Sequence, residues 1–234
     1  MRKDEKLKTI YETIAPHITR NESSWRDYLR FASTFYKYSF DNTLLIFAQN
    51  PNVTMLAPTA IWNRVGRYVN KGSTGIAVCE YENARLTIKH LFDVSQTHGK
   101  EVAATSWMFD NELKKHIVMH FSEGYKLNTE NFSECIKQIS HKAVMENQYM
   151  QLQSFQDGVE NSIFESLPED GLQLQLQELL SDSISYFVGK RCGLSDEEIG
   201  IGDGMATIAH FNTLPLIAKL GHLVTSVSKG ILIE

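Results

Sequence analysis

The stretch over residues 35–75 constrains this chain of 234 residues more than any other part of it. It places closely spaced aromatic rings around Lys37, continues as an apolar run with two amide side chains, and ends with Trp62 among basic residues. The apolar spacing predicts a short helix over residues 43–49. This helix should stop before Pro51, because the residue preceding a proline disfavours helical backbone.

Flat rings with interleaved cations suit a single-stranded nucleic acid. Bases stack on ring faces, each contributing about 1–3 kcal/mol, and phosphates pair with Lys and Arg. The same composition also suits a purely structural role, because aromatic residues at helical spacing usually pack in a core and an arginine near a turn is usually solvated. Composition alone leaves both interpretations open.

The order of residues adds a second argument. The relevant positions are Trp25, Tyr28, Leu29, Phe35, Tyr38-Ser39-Phe40, Asn42, Leu44-Leu45-Ile46, Ala48-Gln49, Pro51, Trp62-Asn63, Gly66-Arg67, Val69, Lys71-Gly72, Gly75-Ile76 and Phe92-Asp93-Val94-Ser95-Gln96-Thr97. This order resembles the N-terminal single-stranded-DNA-binding domain of ArdC-type antirestriction proteins over residues 1–100. In that family the domain occurs alone or at the head of mobile-element proteins that carry methylase or helicase modules. The resemblance implies single-stranded DNA as the partner.

Nine residues are the candidates for DNA contacts. They are Tyr36, Lys37, Tyr38, Asn42, Gln49, Trp62, Arg64, Arg67 and Lys71. We expect Tyr36, Lys37 and Tyr38 at the surface, because a phenol can keep its polar tip in water while its ring stays available. Five neighbouring apolar residues are predicted to be core instead: Trp25, Leu29, Phe31, Leu45 and Ile46. Trp62 could instead be a buried, structural residue, and its replacement would then weaken DNA binding by unfolding the protein.

The pattern of the whole chain predicts an α+β fold. Residues 1–100 should form N-terminal helices followed by a small antiparallel sheet, as the DNA-binding domain. In this part we predict four helices: one over residues 4–18, one that begins at a cap on Asn21 or Ser23, one over 43–49 and one over 59–63. Strands are predicted over 67–69, 71–78 and 85–92. Residues 101–129 are predicted to be a linker with local structure around 106–120. Residues 130–234 should be mostly helical, with helices over 130–151, 172–191, 205–211 and 215–231.

Charge, cysteines and hydropathy narrow the class of protein. The net charge of −5 divides into +5 for residues 1–100 and −10 for the remainder. Such asymmetry indicates that the basic part binds a polyanion such as a nucleic acid. Cys79, Cys135 and Cys192 are odd in number and far apart, which predicts packed thiols in a reducing cytoplasm. We expect no membrane partner, because no stretch approaches the ~20 apolar residues that span a bilayer.

The segment from Glu178 to Gly189, followed by Gly193, is similar to a later helix of zincin-like metalloprotease domains, which follow the DNA-binding unit in this family. The resemblance would make Glu178 a third zinc ligand. The H-E-x-x-H motif that zinc also requires is missing, because Lys142 and Met145 follow His141 where the base and second ligand belong. His116 and His120 are four apart without that glutamate, and could share a helix face and bind a metal weakly. We therefore expect a degenerate domain without cofactor, metal or catalytic residue.

Together these arguments predict a cytoplasmic, non-catalytic, single-stranded-DNA-binding portion of a mobile-element protein related to antirestriction or conjugation. The last predicted helix reaches Glu234 without a cap, which suggests the leading segment of a longer polypeptide with further domains. Two alternatives remain open. One is a metalloprotease-like enzyme with unorthodox zinc ligands, which stoichiometric zinc would support. The other is a protein-binding antirestriction decoy, in which the acidic half imitates DNA and competes with duplex DNA for its target.

Overall fold

The computed structural model describes residues 3–82, 85–102, 109–146, 153, 155, 158–160, 162–166, 168–200 and 202–233. The chain divides into two compact units. A sheet unit combines Met1–Ile14 with Asp41–Ser106, and a helical unit combines Ala15–Phe40 with Trp107–Glu234. The α+β class is confirmed. Unlike the predicted division at residue 100, these units assign the helix that carries Trp25 to the same body as the C-terminal helices.

The sheet unit contains two small antiparallel sheets. Helix α1 (Lys3–Ile18) begins in this unit, and its further elements are α3 (Phe40–Gln49), β1 (Leu56–Ala57), α4 (Thr59–Arg64), β2 (Arg67–Val69), β3 (Ile76–Glu82), β4 (Arg85–Asp93), a 3-10 turn (Val94–Gln96) and β5 (Thr97–Gly99). Three strands pair in the order β1-β4-β3, and β2 pairs with β5 as a separate ribbon. The predicted helices over 43–49 and 59–63 are thus present, and β3 begins later than predicted, at Ile76.

Local sequence signals explain the boundaries in this unit. Asn50 and Pro51 end α3, and Pro58 stands at the N-cap of α4 with an extended backbone. Between β2 and β3 the chain turns at Gly72, whose φ of 88° lies in the left-handed region that a side chain disfavours. After β4, Asp93 caps the 3-10 turn with a reciprocal pair of hydrogen bonds to Ser95 and Gln96.

The helical unit packs around one long helix. Its elements are α2 (Glu22–Thr34), α5 (Asn111–Tyr125), α6 (Phe132–Glu146), a 3-10 turn (Ile163–Ser166), α7 (Glu169–Arg191), α8 (Asp196–Ile199), a 3-10 helix (Asp203–His210) and α9 (Leu214–Ile233). Helix α7 contacts α2, α6, α9 and the second of these 3-10 segments. Trp25, Leu29 and Phe31 of α2 are buried as predicted, and the Trp25 indole donates a hydrogen bond to Ser183 of α7 at 2.9 Å. In the sheet unit, Leu45 and Ile46 are buried as predicted too.

Three predicted elements differ from the structure. The segment predicted as a linker contains α5, whose N-cap Asp110 accepts a hydrogen bond from the backbone N–H of Leu113 at 2.7 Å. The helix predicted over 130–151 is α6, which ends at Glu146, and residues 147–151 lie outside the described part of the chain. The segment predicted as a helix over 205–211 is a 3-10 helix over Asp203–His210.

Helix α9 bears on the prediction that no segment could span a bilayer. It is 20 residues long with a mean hydropathy of 1.4, so within the described residues one helix could cross a membrane by length and composition. The same test is passed by core helices of soluble proteins. One face of α9 is buried, and Gly221 lies where an added Cβ would stand 2.1 Å from Cε2 of Phe40. Of the apolar stretch in α9, 33% is buried within the protein.

Candidate nucleic-acid interface

The first three candidate residues belong to the helical unit, and they are not all at the surface. Tyr36 is only 8% exposed, with the guanidinium carbon of Arg191 4.8 Å from its ring centroid. The expectation of a surface position for Tyr36 was therefore wrong, because Arg191 and the packing around it cover the ring. Lys37 is exposed, and the half-buried Tyr38 ring packs at a steep angle on Phe35, with 6.3 Å between centroids.

Asn42 and Gln49 complete the edge of a sheet. The Asn42 amide donates to the carbonyl of Cys79 at 2.7 Å and accepts from its N–H at 2.8 Å. Gln49 makes the same pair of bonds with Ala77, at 2.8 and 2.9 Å. Strand β3 lies at the sheet edge, where alternate backbone groups lack a neighbouring strand. Two side-chain amides, two helical turns apart on α3, therefore satisfy that edge.

Trp62 anchors α4 to the three-stranded sheet. Its side chain is 2% exposed, and its indole Nε1 donates to the carbonyl oxygen of Phe92 at 2.9 Å. A ring buried in this way does not offer a face on which a base could stack. The alternative stated for Trp62, a structural tryptophan, agrees with this geometry.

The basic candidates differ in what surrounds them. The Arg67 guanidinium donates to the side-chain and backbone oxygens of Thr97, at 2.7 and 2.9 Å, and to the carbonyl of Lys100. It therefore ties β2 to the segment containing β5, and most of its N–H donors are already used. Arg64 and Lys71, by contrast, are exposed and form no ion pair with any residue that the structure describes.

An exposed ring pair lies on the ribbon formed by β2 and β5. Tyr68 is 54% exposed and stands directly opposite His98, which is also exposed. Their ring centroids are 6.0 Å apart with planes tilted by 41°, and His98 Nδ1 lies 2.7 Å from the Asn70 side-chain oxygen. Strand alternation could have identified Tyr68, since its neighbours Arg67 and Val69 face the other side. His98 depends on a pairing across 30 residues that no local pattern indicates.

The charge of this ribbon has one sign. We define the ribbon segment as residues 64–71 and 97–100, which contain four Lys or Arg residues and no Asp or Glu. The Lys100 side chain passes over Gly66, where an added Cβ would lie 2.9 Å from its Cδ. Lys100 itself is exposed and, like Arg64 and Lys71, has no ion-pair partner among the described residues. The ribbon segment thus combines open rings with unneutralised cations.

The helical unit has a polar cavity of about 480 Å³. It is lined by His141, Leu174, Gln177, Glu178, Ser181, Asp182, Asp203 and Gly204. The Ser181 hydroxyl lies 3.5 Å from His141 Nδ1, and the Asp182 carboxylate accepts from the backbone N–H of Gly204 at 2.9 Å. Burial raises the pKa of Asp182, although the hydrogen bond from Gly204 and the charge of Lys137 oppose that rise.

The cavity does not fit the zinc ion that the zincin resemblance would imply. His141 and Glu178 line it together, but the Lys142 ammonium donates a hydrogen bond to the Tyr125 carbonyl oxygen, and Met145 lies partly exposed. Within the described parts of the chain, no group of three or more His, Cys, Asp or Glu side chains could hold a metal ion. Neither an ammonium nor a thioether can replace the missing base and imidazole ligand. We derive no zinc chemistry at this site.

The cysteines are packed thiols, as predicted. Cys135 and Cys192 are buried and Cys79 is half-buried, and all three are free. Burial raises the pKa of Cys135 to about 11 and that of Cys192 to about 12. Such thiols remain protonated at neutral pH and are poor nucleophiles.

Comparison of the chain with protein-family models, curated proteins and solved structures finds no match. The resemblance to ArdC-type proteins therefore rests on the order of residues in this sequence, and the arguments for function rest on the geometry described above.

Proposed function

We propose that the sheet unit binds single-stranded DNA on the β2–β5 ribbon, with Tyr68 as the principal stacking ring. The observation that carries the proposal is the exposed Tyr68–His98 pair within a segment that has four basic and no acidic residues. A phenol ring open on one face can stack a base without a sequence requirement, because every base has a π-face.

The cations of the ribbon segment supply the second half of the interaction. Arg64, Lys71 and Lys100 are exposed, so each can approach a phosphate without first breaking an ion pair. Such contacts release counterions from the nucleic acid, which makes binding weaken as salt rises. Asn70 and His98, whose side chains lie within 2.7 Å of each other, add hydrogen-bonding groups beside the ring.

The wider context of the proposal follows from the resemblance. We propose a non-catalytic role in a mobile-element protein of the antirestriction or conjugation type, in the cytoplasm and without a cofactor. The charge balance bears on which unit meets DNA: the sheet unit holds 10 Lys and Arg against 8 Asp and Glu, whereas the helical unit holds 13 against 20. The acidic unit is therefore the poorer partner for DNA.

The test is a fluorescence-anisotropy titration of the full chain with labelled oligo-dT and with a duplex of equal length. We expect salt-sensitive binding to oligo-dT and weaker binding to the duplex, where the bases are already stacked. Tyr68→Ala should lose about 1–3 kcal/mol of binding free energy, or roughly 5- to 150-fold in affinity. The thermal midpoint should change little, because the side chain is exposed.

Leu86→Ala is the matched control. Leu86 is 49% exposed on β4 of the same unit, so its removal takes a comparable apolar side chain from a different surface. Oligo-dT affinity should be unchanged in this variant. Equal losses in both variants, or preference for the duplex, would overturn the stacking proposal. A chain that binds neither oligonucleotide but binds a protein that duplex DNA displaces would favour the decoy alternative.

A further inference from the structure

We propose that His116 and His120 form a two-histidine site for a divalent transition-metal ion on the exposed face of α5. This inference is independent of DNA binding, because it concerns the helical unit and uses neither the ribbon nor the polar cavity. The sequence spacing alone leaves the site undefined, since residues 101–129 show no clear helical pattern. The helix observed over Asn111–Tyr125 supplies the geometry.

The orientation of α5 follows from its buried residues. Val118 and Phe121 are 5% and 8% exposed and face the interior of the helical unit. His116 and His120 lie on the opposite side, and both are exposed. Side chains four apart on a helix lie on one face, with Cβ atoms about 5–6 Å apart. Two imidazoles at that separation can converge on one ion, with metal–nitrogen distances near 2.0–2.1 Å.

Two carboxylates and one ammonium stand near the pair. Glu112 lies four residues before His116, and Glu123 lies three residues after His120, and both are exposed on the same side of the helix. They do not complete a group of three ligands in the described structure, so we assign them a long-range electrostatic role that Lys115 partly offsets. The His120 ring packs edge-on against Phe121, with 5.5 Å between the ring centroids.

The ligand set determines which metal is expected. Imidazole nitrogen suits Cu²⁺, Ni²⁺ and Zn²⁺, whereas Ca²⁺ and Mg²⁺ prefer oxygen ligands. Two protein ligands leave the remaining coordination positions to water, which makes the site weaker than a structural zinc centre. Affinity should follow the general order for divalent ions, with Cu²⁺ above Ni²⁺ and Ni²⁺ above Co²⁺.

The experiment is an isothermal titration of the full chain with nickel chloride, repeated with copper and cobalt salts. Either His116→Ala or His120→Ala should lower Ni²⁺ affinity more than ~10-fold, since even the loss of a hydrogen-bond partner behind a metal ligand costs that much. Both positions are exposed, so the helix content measured by circular dichroism should stay the same.

Two controls separate a paired site from histidines in general. The double variant His116→Ala/Lys115→His keeps the number of histidines but spaces them five apart, which turns the imidazoles about 140° away from each other around the helix. It should bind Ni²⁺ as weakly as the single variants. His98→Ala removes an exposed histidine of the sheet unit and should leave Ni²⁺ affinity unchanged. Wild-type affinity in the five-apart variant, or an equal loss in His98→Ala, would overturn the proposal.

Discussion

Two parts of the sheet unit use the same kinds of residue in opposite ways. Along α3 and α4, Asn42, Gln49 and Trp62 turn inward and form hydrogen bonds with backbone groups of β3 and β4. On the β2–β5 ribbon, Tyr68 and His98 remain open to solvent. Amides, aromatic rings and cations occur in both parts, so residue type does not distinguish a ligand-binding surface from a structural one.

The difference arises from unmet backbone hydrogen bonds. Strand β3 is an edge strand of its sheet, so its outward N–H and C=O groups need partners. The side chains of Asn42 and Gln49 supply them. Both strands of the β2–β5 ribbon are edges too, but there the Arg67 guanidinium serves carbonyl groups, and the Tyr68 ring stays exposed. Arg67 shows that the distinction applies even between neighbours, because its guanidinium serves carbonyl groups while Lys71 points to solvent.

The largest expected effect concerns Trp62. Trp62→Ala should reduce the free energy of unfolding by about 3–5 kcal/mol, because it empties a buried site and leaves the Phe92 carbonyl without its indole donor. Urea denaturation followed by circular dichroism measures the loss. Ile61→Ala removes a neighbouring side chain that is 40% exposed, and should change stability by no more than about 0.5 kcal/mol. If Trp62→Ala stayed fully stable yet lost oligo-dT binding, the inward role assigned to Trp62 would be wrong.

Sequence patterns captured what local chemistry determines and missed what depends on distant pairing. The apolar spacing around Trp25 and Leu45 predicted buried residues correctly, because the helix period places them on one face. Tyr36 was misassigned to the surface because Arg191, 155 positions later in the chain, covers its ring. Helix α5 was missed since its polar, weakly periodic sequence hides an N-cap signal at Asp110. Tyr68 and His98 become a pair only through the register of β2 and β5.

The next largest loss of stability is expected from replacing the buried carboxylate of Asp93. Asp93 is 3% exposed and accepts hydrogen bonds from the N–H groups of Thr54, Met55 and Ser95 and from the Ser95 hydroxyl. Burial opposes its ionisation, but these donors together lower the pKa of Asp93 below its usual value. Asp93→Asn replaces one accepting oxygen with a donor, and should cost about 1–3 kcal/mol at neutral pH.

The pH dependence of stability follows from the same carboxylate. Because the folded-state pKa of Asp93 is lowered, its contribution is fully present above the unfolded value near 3.9 and is lost as pH falls through the folded pKa. Urea midpoints of the wild type should therefore fall between pH 5 and pH 2.5 more steeply than those of Asp93→Asn. Parallel curves for the two proteins would show that the hydrogen bonds to Asp93 do not favour its charged form.

The smallest expected change in stability comes from Arg64→Gln, and it allows a direct comparison with Arg67→Gln in the same ribbon segment. Arg64→Gln removes an exposed cation with no ion-pair partner among the described residues, so the free energy of unfolding should change by no more than about 0.5 kcal/mol. The slope of log affinity for oligo-dT against log salt should become shallower by about 0.7–1, the loss of one phosphate contact. Arg67→Gln should instead reduce stability, since its guanidinium joins β2 to Thr97 and Lys100. If Arg67→Gln kept full stability and changed only the salt slope, the contrast between inward and outward cations would fail, and Arg67 would belong with Arg64 on the DNA-binding surface.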